Sequence, residues 1–498
     1  MSDDLPIAAR ASEASASSLQ EERIPKRGTR ATIARPRGSK HAVMKTVFLL
    51  ACAVSAAGCT ASASEVEPPT DAFFYPTGLA VSPGDAMLFV ANANSILQYS
   101  SGSVSVIDLS TVDSVIQGWT SAQTIPDPSC TQDTDHLETL QCPESMFITG
   151  EAGARIGNFA TDIAVQDRGN NQLRLIIPTR GDPSIAWVDW DGTALHCNNS
   201  ATTPNALCDD GHRLVYVQND ANLSLLPQEP FSAYADSVAN FAMVTHLTTG
   251  DVTLIDSPPT GDAIIADLAV ALFEPDPTTG LVGATGITGR APGAGDMVYV
   301  GSRSENRIQM LTVGRPANGM LPYLIEGNWF FLDFIGGNAG ASSDTRGMRF
   351  SADGNTLYVV NRNPPALQIY DTSLDDTGFP ANKAVGATPL CRDASSVTSF
   401  DAGDGDRAYV TCFDDGQVYV IDPRGTGSVA DIINIGRGPY AIAIAPSRNE
   451  IFVTNFLEDT VAVIDVSPTS PTRDRVVLRI GIPTPPPKST SSTSTFPI

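Results

Sequence analysis

This 498-residue chain lacks the short motifs that mark the commonest hydrolases and nucleotide-binding enzymes. No serine lies in a Gly-x-Ser-x-Gly turn, and neither an HExxH segment nor a Walker-type loop occurs. Histidine is scarce, since the chain has only five. Four of them follow Cys59, and three of those four lie in loop-like sequence. A Ser-His-Asp hydrolase needs a histidine beside its nucleophile. The sequence therefore does not favour that class of enzyme.

Charged residues are also few, at 17% of the chain, whereas glycine and proline are abundant at 41 and 36 residues. This balance is typical of many short strands joined by tight turns, and it predicts an all-β protein. The net charge is −24, and nine of the 31 basic residues precede Cys59, so the remainder carries 22 basic against 50 acidic residues. Such a charge repels a phosphate backbone, so we expect no nucleic-acid partner.

A short apolar segment near the N-terminus predicts export. Residues 44–59, MKTVFLLACAVSAAGC, combine one lysine, an apolar run too short to span a bilayer, and small residues before Gly-Cys. The ending resembles the bacterial lipobox, in which the cysteine is lipidated and becomes the new N-terminus. The resemblance implies a lipid anchor at Cys59 and a place in the cell envelope, at the outer membrane or the cell surface.

Three segments are predicted to lie outside the folded domain. Residues 1–43 are rich in alanine, serine and arginine without apolar periodicity, and we interpret them as a mis-assigned or extended N-terminal segment, with translation starting at Met44. Residues 60–71 have the composition of a flexible tether, and residues 483–498 that of a disordered Pro/Ser/Thr tail. The folded domain is therefore expected at 72–482.

Cysteine outside the signal segment is limited to six residues in close pairs. After an export signal such pairs indicate disulfides. Local pairing predicts the bridges Cys130–Cys142, Cys197–Cys208 and Cys391–Cys412. Zinc is the alternative, but no pair has the spacing of a zinc knuckle, and His196 and His212 lie in loop-like sequence. We therefore expect no metal.

A repeated phrase of three short strands organises the rest of the chain. It is clearest at 438–466, GPYAIAIAPSRNEIFVTNFLEDTVAVIDV, and it recurs at 345–373 and at 75–110. Apolar and polar residues alternate within each run, as in half-buried strands. Weaker copies lie at 173–189, 240–256, 297–313 and 408–422, which makes seven repeats.

The ends of the third strands are marked by aspartate, which we interpret as a turn-capping residue. The aspartates are Asp108, Asp189, Asp256, Asp371, Asp422 and Asp465. Their spacing shrinks from 81 residues between the first two to 43 between the last two, so the early repeats carry insertions. His246 occupies a place that asparagine holds in other repeats, which favours a structural role. Residues 475–480 are expected to supply the outermost strand of the last repeat.

The phrases IFVTN, LYVVN and LFVAN, each followed by a VxVID-like strand, resemble the YVTN family of β-propeller repeats. The resemblance implies a seven-bladed β-propeller of four-stranded antiparallel blades around a central channel. It also implies a membrane-anchored extracytoplasmic protein that acts in binding or as a scaffold, without a cofactor. The resemblance does not identify its ligand. Seven-bladed propellers include lactonase-like hydrolases and cofactor-dependent dehydrogenases, so an enzyme with its site at the channel mouth is the alternative.

Two clusters of charged residues are candidates for ligand contacts. Asp401, Asp404 and Asp406 have the spacing of a calcium loop, but a tight hairpin turn needs the same residues and is favoured. Aligned repeats place several arginines and two phenylalanines on one face of the propeller. This candidate ligand face consists of Arg180, Arg303, Arg362, Arg346, Arg392, Arg437, Phe413 and Phe456. It suits a protein partner or an anionic glycan, although each arginine can instead pair with a neighbouring aspartate.

Overall fold

The computed structural model of the protein describes residues 66–122, 124–217, 224–290, 297–317, 319–332 and 343–485. The predicted signal peptide, the segment before it and the lipidation site Cys59 lie outside these residues, as do 60–65 and 486–498. Residues 66–71 lie against the fold, where the carbonyl oxygen of Val66 accepts a hydrogen bond from Ser100 N and Glu67 pairs with Arg155. Within the described ranges no helix is both long and apolar enough to cross a membrane.

Seven antiparallel sheets follow one another along the chain and form a seven-bladed β-propeller, which confirms the predicted fold class. The first strands of neighbouring blades contact one another around the ring, and the last blade meets the first. These first strands therefore line the channel. The chain leads outward from them through each blade.

Blades 1 and 2 carry the predicted insertions. The first blade and its insertion contain β1 (Pro76–Val81), β2 (Met87–Asn92), β3 (Gly102–Asp108), α1 (Leu109–Ala122), β4 (Thr131–Gln132), β5 (Leu140–Cys142) and β6 (Ala154–Ile156). The second contains β7 (Ala164–Gly169), β8 (Gln172–Thr179), β9 (Ser184–Trp190), β10 (Leu195–His196) and β11 (Arg213–Leu214). Both β10 and β11 pair with β9, so an insertion divides the fourth strand of blade 2.

The remaining blades each have four continuous strands. Blade 3 has β12 (Pro230–Asp236), β13 (Phe241–His246), β14 (Val252–Asp256) and β15 (Ile264–Ala269); blade 4 has β16 (Ala284–Gly289), β17 (Val298–Ser302), β18 (Arg307–Gly314) and β19 (Tyr323–Phe331). Blade 5 has β20 (Thr345–Phe350), β21 (Thr356–Arg362), β22 (Pro365–Asp371) and β23 (Lys383–Pro389). Blade 6 has β24 (Ala394–Asp401), β25 (Asp406–Cys412), β26 (Gln417–Asp422) and β27 (Ser428–Asn434). Blade 7 has β28 (Pro439–Ala445), β29 (Glu450–Asn455), β30 (Thr460–Asp465) and β31 (Arg475–Ile480), so the predicted outermost strand is confirmed.

The hydrophobic core lies between neighbouring blades. Alternate residues of each strand point to opposite sheet faces, so Phe89 and Val104 of blade 1 pack in one cluster with Ile177 and Val188 of blade 2. Burying one such side chain contributes roughly 1.5–3 kcal/mol. Each blade is therefore stabilised mainly by its two neighbours.

Side chains also join every blade to the next, at the start of the first strand of the following blade. At each junction a hydroxyl or guanidinium group donates a hydrogen bond to a backbone carbonyl of the following blade. The pairs are Thr77 to Ala160, Thr161 to Phe231, Thr245 to Thr285, Thr285 to Thr345, Arg362 to Ala394, Thr411 to Tyr440 and Thr454 to Thr77. Arginine replaces the hydroxyl at only one of these seven junctions.

The turn-capping role of the third-strand aspartates is confirmed in four blades. Their carboxylates accept hydrogen bonds from the backbone N–H two residues later, in the pairs Asp108 with Ser110, Asp371 with Ser373, Asp422 with Arg424 and Asp465 with Ser467. Asp189 differs, because it binds the guanidinium groups of Arg168 and Arg174. Asp256 lies 3.7 Å from Arg315.

All three predicted disulfides are present. Cys391 precedes β24, and Ala394 of that strand pairs with Cys412 at the end of β25, so this bridge joins strand ends within blade 6. Cys197–Cys208 closes the insertion of blade 2.

The insertion of blade 1 forms a clasp, residues 109–150, over the outer edge of blade 7. Strand β5 pairs in parallel with β31, and Thr139 donates to the carbonyl oxygen of Val476 at 2.7 Å. Helix α1 begins after Asp108 and buries Val112 and Trp119 in a cluster shared with blade 7. The clasp thus closes the ring between its first and last blades, with Cys130–Cys142 holding its hairpin.

Removing the clasp disulfide should loosen this closure. The double variant Cys130→Ser/Cys142→Ser is expected to lose about 3 kcal/mol of unfolding free energy, since a short loop is no longer constrained in the unfolded chain. Amides of β31 should also exchange hydrogen faster in this variant. The variant Cys197→Ser/Cys208→Ser opens a loop of similar length, with a sequence separation of 11 rather than 12 between the cysteines, and serves as the control. Equal β31 exchange in the two variants would contradict a closing role for the clasp.

Candidate functional site

The mouth of the channel is the end at which the first strands begin. Ladder pairing slips there by one residue, for example between Pro76 and Leu79 of β1 and between Thr345 and Met348 of β20. Such a bulge redirects side chains away from the regular sheet face. The residues at the equivalent place in the seven blades are Thr77, Thr161, Phe231, Thr285, Arg346, Ser395 and Tyr440.

A cleft of about 120 Å³ opens at this mouth. Arg346 and Arg362 line it together with Asp162, Phe231 and Tyr440. The guanidinium of Arg346 lies 5.6 Å from the centre of the Phe231 ring. Positive charge and aromatic surface therefore meet in the same small cleft.

The two cleft arginines are held in place by the fold. Arg346 Nη2 donates to Asp344 Oδ2 at 2.9 Å. Arg362 Nε donates to the carbonyl oxygen of Ala394 at 2.9 Å, whereas its nearest carboxylate oxygen, on Asp393, is 3.7 Å away. Burial lowers the pKa of Arg362, and the nearby charge of Arg346 lowers it further. Arg362 thus has both a structural contact and an incompletely neutralised charge.

Arg180 and Arg303 extend the positive charge around the mouth. Arg180 forms an ion pair with Glu229 of the next blade. Burial lowers the pKa of Arg303, and the positive charges of Arg346 and Arg180 also lower it, while the carboxylate of Asp344 acts in the opposite direction. Both residues therefore lie within electrostatic range of the cleft.

Arg303 differs from most other arginines because it has no ion pair among the described residues. Of the 20 arginines between residues 66 and 485, 17 lie within 4.0 Å of a carboxylate in the described part of the chain. The three exceptions are Arg290, Arg303 and Arg349. A cation without a carboxylate within 4.0 Å retains more of its attraction for an external anion.

An aromatic arc occupies the other side of the mouth. The rings of Phe413, Tyr440 and Phe456 lie 6.1–6.5 Å apart, and Tyr75 lies 5.2 Å from Phe456. Each ring is half-buried, which leaves part of its face open. Tyr440 belongs both to this arc and to the cleft.

Of the six arginines of the predicted face, Arg346 and Arg362 line the cleft, Arg180 and Arg303 lie near it, and Arg392 and Arg437 have other surroundings. Arg392 has a 73% exposed side chain and pairs with Asp415 at 2.7 Å. Arg437 pairs with Glu458 at 3.3 Å and also donates to the carbonyl oxygen of Thr484. Among the predicted arginines, the structure therefore brings Arg180, Arg303, Arg346 and Arg362 together.

The remaining sequence candidates have local partners. His246 is fully buried, and its Nε2 lies 2.8 Å from the hydroxyl of Thr253, while burial lowers its pKa to about 4. His196 and His212 lie beside the carboxylates of Asp191 and Asp209.

The acidic cluster lies in the hairpin turn between β24 and β25. Asp401 accepts hydrogen bonds from the backbone N–H of Gly403 and Gly405. Asp404 instead pairs with Arg473, and Asp406 accepts a hydrogen bond from Tyr358. The three carboxylates therefore serve different contacts.

The pattern of repeats does not distinguish four further residues, Asp162, Tyr440, Arg290 and Arg349. Aligning the repeats on their first strands would have placed Tyr440 with Arg346, because both occupy the bulge. Asp162 accepts hydrogen bonds from the N–H groups of Ile163 and Ala233, and burial raises its pKa to about 6.

Comparison with known proteins gives only distant structural matches. No protein-family model and no curated protein matches the chain. A candidate 6-phosphogluconolactonase of Bacteroides fragilis is 12% identical, with a TM-score of 0.47 over 66% of this chain and 90% of that one. A periplasmic gluconolactonase of Pseudomonas aeruginosa is 14% identical, with a TM-score of 0.46 over 74% and 87%. The hydrazine synthase of Kuenenia stuttgartiensis is 12% identical, with a TM-score of 0.45 over 82% and 98%.

Proposed function

We propose that this chain is an exported, lipid-anchored β-propeller of the bacterial envelope, of the YVTN type, which binds an anionic ligand at the mouth of its channel. The observation that carries the proposal is the group of Arg180, Arg303, Arg346 and Arg362 at one mouth of an acidic protein. Guanidinium groups bind carboxylate and sulfate oxygens through directed hydrogen bonds. The ligand is therefore expected to carry such groups.

The size of the cleft limits what enters it. A volume of about 120 Å³ holds one charged group and not a whole oligosaccharide. The rest of a ligand would lie on the aromatic arc, where ring faces stack on the apolar face of a sugar. An anionic glycan fits this combination, and an acidic loop of a protein partner is the competing occupant.

Binding of heparin and polygalacturonate to the full chain tests the proposal, with neutral dextran as the control ligand. Arg303→Gln should weaken binding of the anionic glycans roughly tenfold, since one charge-assisted contact is lost. Because Arg303 has no ion pair among the described residues, this variant is expected to fold normally. Arg362→Ala should weaken binding too, but it also removes a contact between blades.

A matched control is Arg392→Gln, which removes the same charge from the same face outside the cleft. It should change affinity less than twofold. Added salt should weaken binding by the wild type. Equal losses in Arg303→Gln and Arg392→Gln would indicate general surface attraction, and unchanged affinity in both would contradict a binding mouth.

Anion binding should strengthen as the pH falls through 6. The carboxyl of Asp162, whose pKa is about 6, becomes neutral below that pH, so the cleft loses a negative charge while its arginines stay charged. Affinity at pH 5 is expected to be roughly fivefold higher than at pH 7.5. Asp162→Asn should bind equally well at both pH values. The same pH dependence in wild type and variant would show that another group is responsible.

The anchor is tested separately from the ligand. Cys59→Ala should release the protein from the membrane fraction, because lipidation of that cysteine is the proposed attachment. Unchanged membrane association in this variant would show that another segment holds the protein.

Substitution of Asp162 also tests the alternative that the protein is an enzyme. A carboxyl group with a pKa near 6 in a cleft can exchange a proton near neutral pH, as a general acid or base requires. Hydrolysis of sugar lactones by the wild type, lost in Asp162→Asn, would favour a lactonase-like enzyme over a binding protein.

A further inference from the structure

A second cleft, of about 310 Å³, lies where the first strands of blades 3, 4 and 5 end, at the opposite end of the channel from the mouth. Its walls include Tyr234, Asp236, Arg290, Arg349 and Ser351. This lower cleft contains two of the three arginines that have no carboxylate within 4.0 Å among the described residues.

Arg349 is the main unsatisfied group of the lower cleft. Its side chain makes no hydrogen bond or ion pair with any described residue, and it is open to water in the channel. It follows Arg346 by three residues on β20, so the two lie about 10 Å apart along one strand. Desolvation by the surrounding walls lowers the pKa of Arg349, while Tyr234 of the same cleft acts in the opposite direction.

Arg290 provides a second, independently positioned cation. The residue is 94% buried, and its guanidinium lies 5.8 Å from the ring centre of Phe350. It donates hydrogen bonds to the carbonyl oxygen of Thr372 and to the hydroxyl of Tyr299, and it has no ion pair within the described part. A buried guanidinium without a carboxylate is costly unless an anion approaches it.

The carboxylate in the lower cleft is engaged elsewhere. Asp236 Oδ1 accepts hydrogen bonds from Val238 N and Ala239 N at 2.8 and 2.7 Å, and its Oδ2 lies 3.2 Å from the hydroxyl of Tyr234. The charge of Asp236 is therefore stabilised by three donors of its own turn and strand. Arg290 and Arg349 remain in the lining as cations without a carboxylate within 4.0 Å among the described residues.

We propose that the lower cleft is a second anion site, which takes a divalent oxyanion such as a phosphate or sulfate group between Arg349 and Arg290. Two guanidinium groups supply several directed donors to such a group. The site is independent of the mouth, because its two arginines belong to neither the cleft nor the predicted face. It also differs in volume, since 310 Å³ admits a small organic phosphate as a whole.

Calorimetric titration of the intact protein with sodium phosphate at low ionic strength tests this site. Arg303→Gln serves as the background, because it weakens the mouth while leaving the lower cleft unchanged. In that background one phosphate site should remain, and adding Arg349→Gln should lower its affinity at least tenfold. Arg349→Lys should give an intermediate affinity, since lysine keeps the positive charge but lacks the planar guanidinium group with its paired N–H donors.

Thermal unfolding provides a second measurement. Without phosphate, Arg349→Gln should unfold at the same temperature as the wild type or higher, because no hydrogen bond or ion pair with a described residue is lost. Phosphate should raise the unfolding temperature of the wild type and not that of the variant. Unchanged phosphate affinity after Arg349→Gln would overturn the second site and leave the mouth proposal standing. A variant that unfolds early without phosphate would show that Arg349 has a structural partner, which also overturns it.

Discussion

Arg174→Leu is expected to lower the free energy of unfolding by about 3 kcal/mol. The Arg174 side chain is fully buried, its Nε lies 2.7 Å from Asp189 Oδ1, and its Nη2 donates to the carbonyl oxygen of Gly261 in the next blade. Its guanidinium also lies 4.3 Å from the ring centre of Trp187. Leucine would leave Asp189 and the Gly261 carbonyl without their main donor, although Arg168 still reaches Asp189. Denaturant unfolding at pH 7 measures the loss.

Arg424→Leu is the matched control for this prediction. Arg424 pairs with Asp422, which occupies the same place in blade 6 as Asp189 in blade 2, but its side chain is 72% exposed. Water screens exposed pairs, so we expect no measurable change in stability. Equal losses for the two variants would show that burial does not decide the strength of these pairs.

Glu450→Gln is expected to stabilise the protein above neutral pH. Burial, opposed by Arg448 and aided by Asp465 on the paired strand, raises the pKa of Glu450 to about 7. Its Oε2 is buried without a hydrogen-bond partner in the described structure. The carboxylate form therefore destabilises the folded state at high pH.

The sign of the pH dependence follows from that raised pKa. The folded protein prefers the protonated carboxyl, so Glu450 destabilises increasingly as the pH rises from the unfolded-state value near 4.5 to about 7. At pH 8 the glutamine variant should be more stable by roughly 2 kcal/mol, and at pH 4 the two proteins should be equal. Denaturant unfolding at both pH values measures this. A variant that is less stable at pH 8 would mean that the carboxylate has a partner in solution.

The clasp was not predictable from the repeat pattern. The spacing between Asp108 and Asp189 indicated an insertion in the first repeat, and the paired cysteines indicated a bridge within it. Nothing in the order of the residues showed that β5 would pair with β31, because these strands are more than 330 residues apart in the chain. That contact exists because the ring brings the last blade beside the first.

The candidate face was predictable only in part, for a similar reason. Alignment of the repeats placed Arg180, Arg303 and Arg362 at one structural position. It could not distinguish Arg303, which has no ion pair in the described structure, from Arg392, which binds Asp415. The distinction depends on which carboxylates the neighbouring loops bring within reach.

The sequence by itself determined the number of blades, the three disulfides and the outermost strand of blade 7, because these depend on alternation with period two, on turn residues and on cysteines close in the chain. Only the tertiary structure decided how the ring closes and which cations face the channel without a carboxylate. Arg290 and Arg349 line one cleft through the packing of blades 4 and 5. Their surroundings are contributed by strands far apart in the chain, and electrostatic interactions depend on distance in space and on desolvation, which the linear order does not contain.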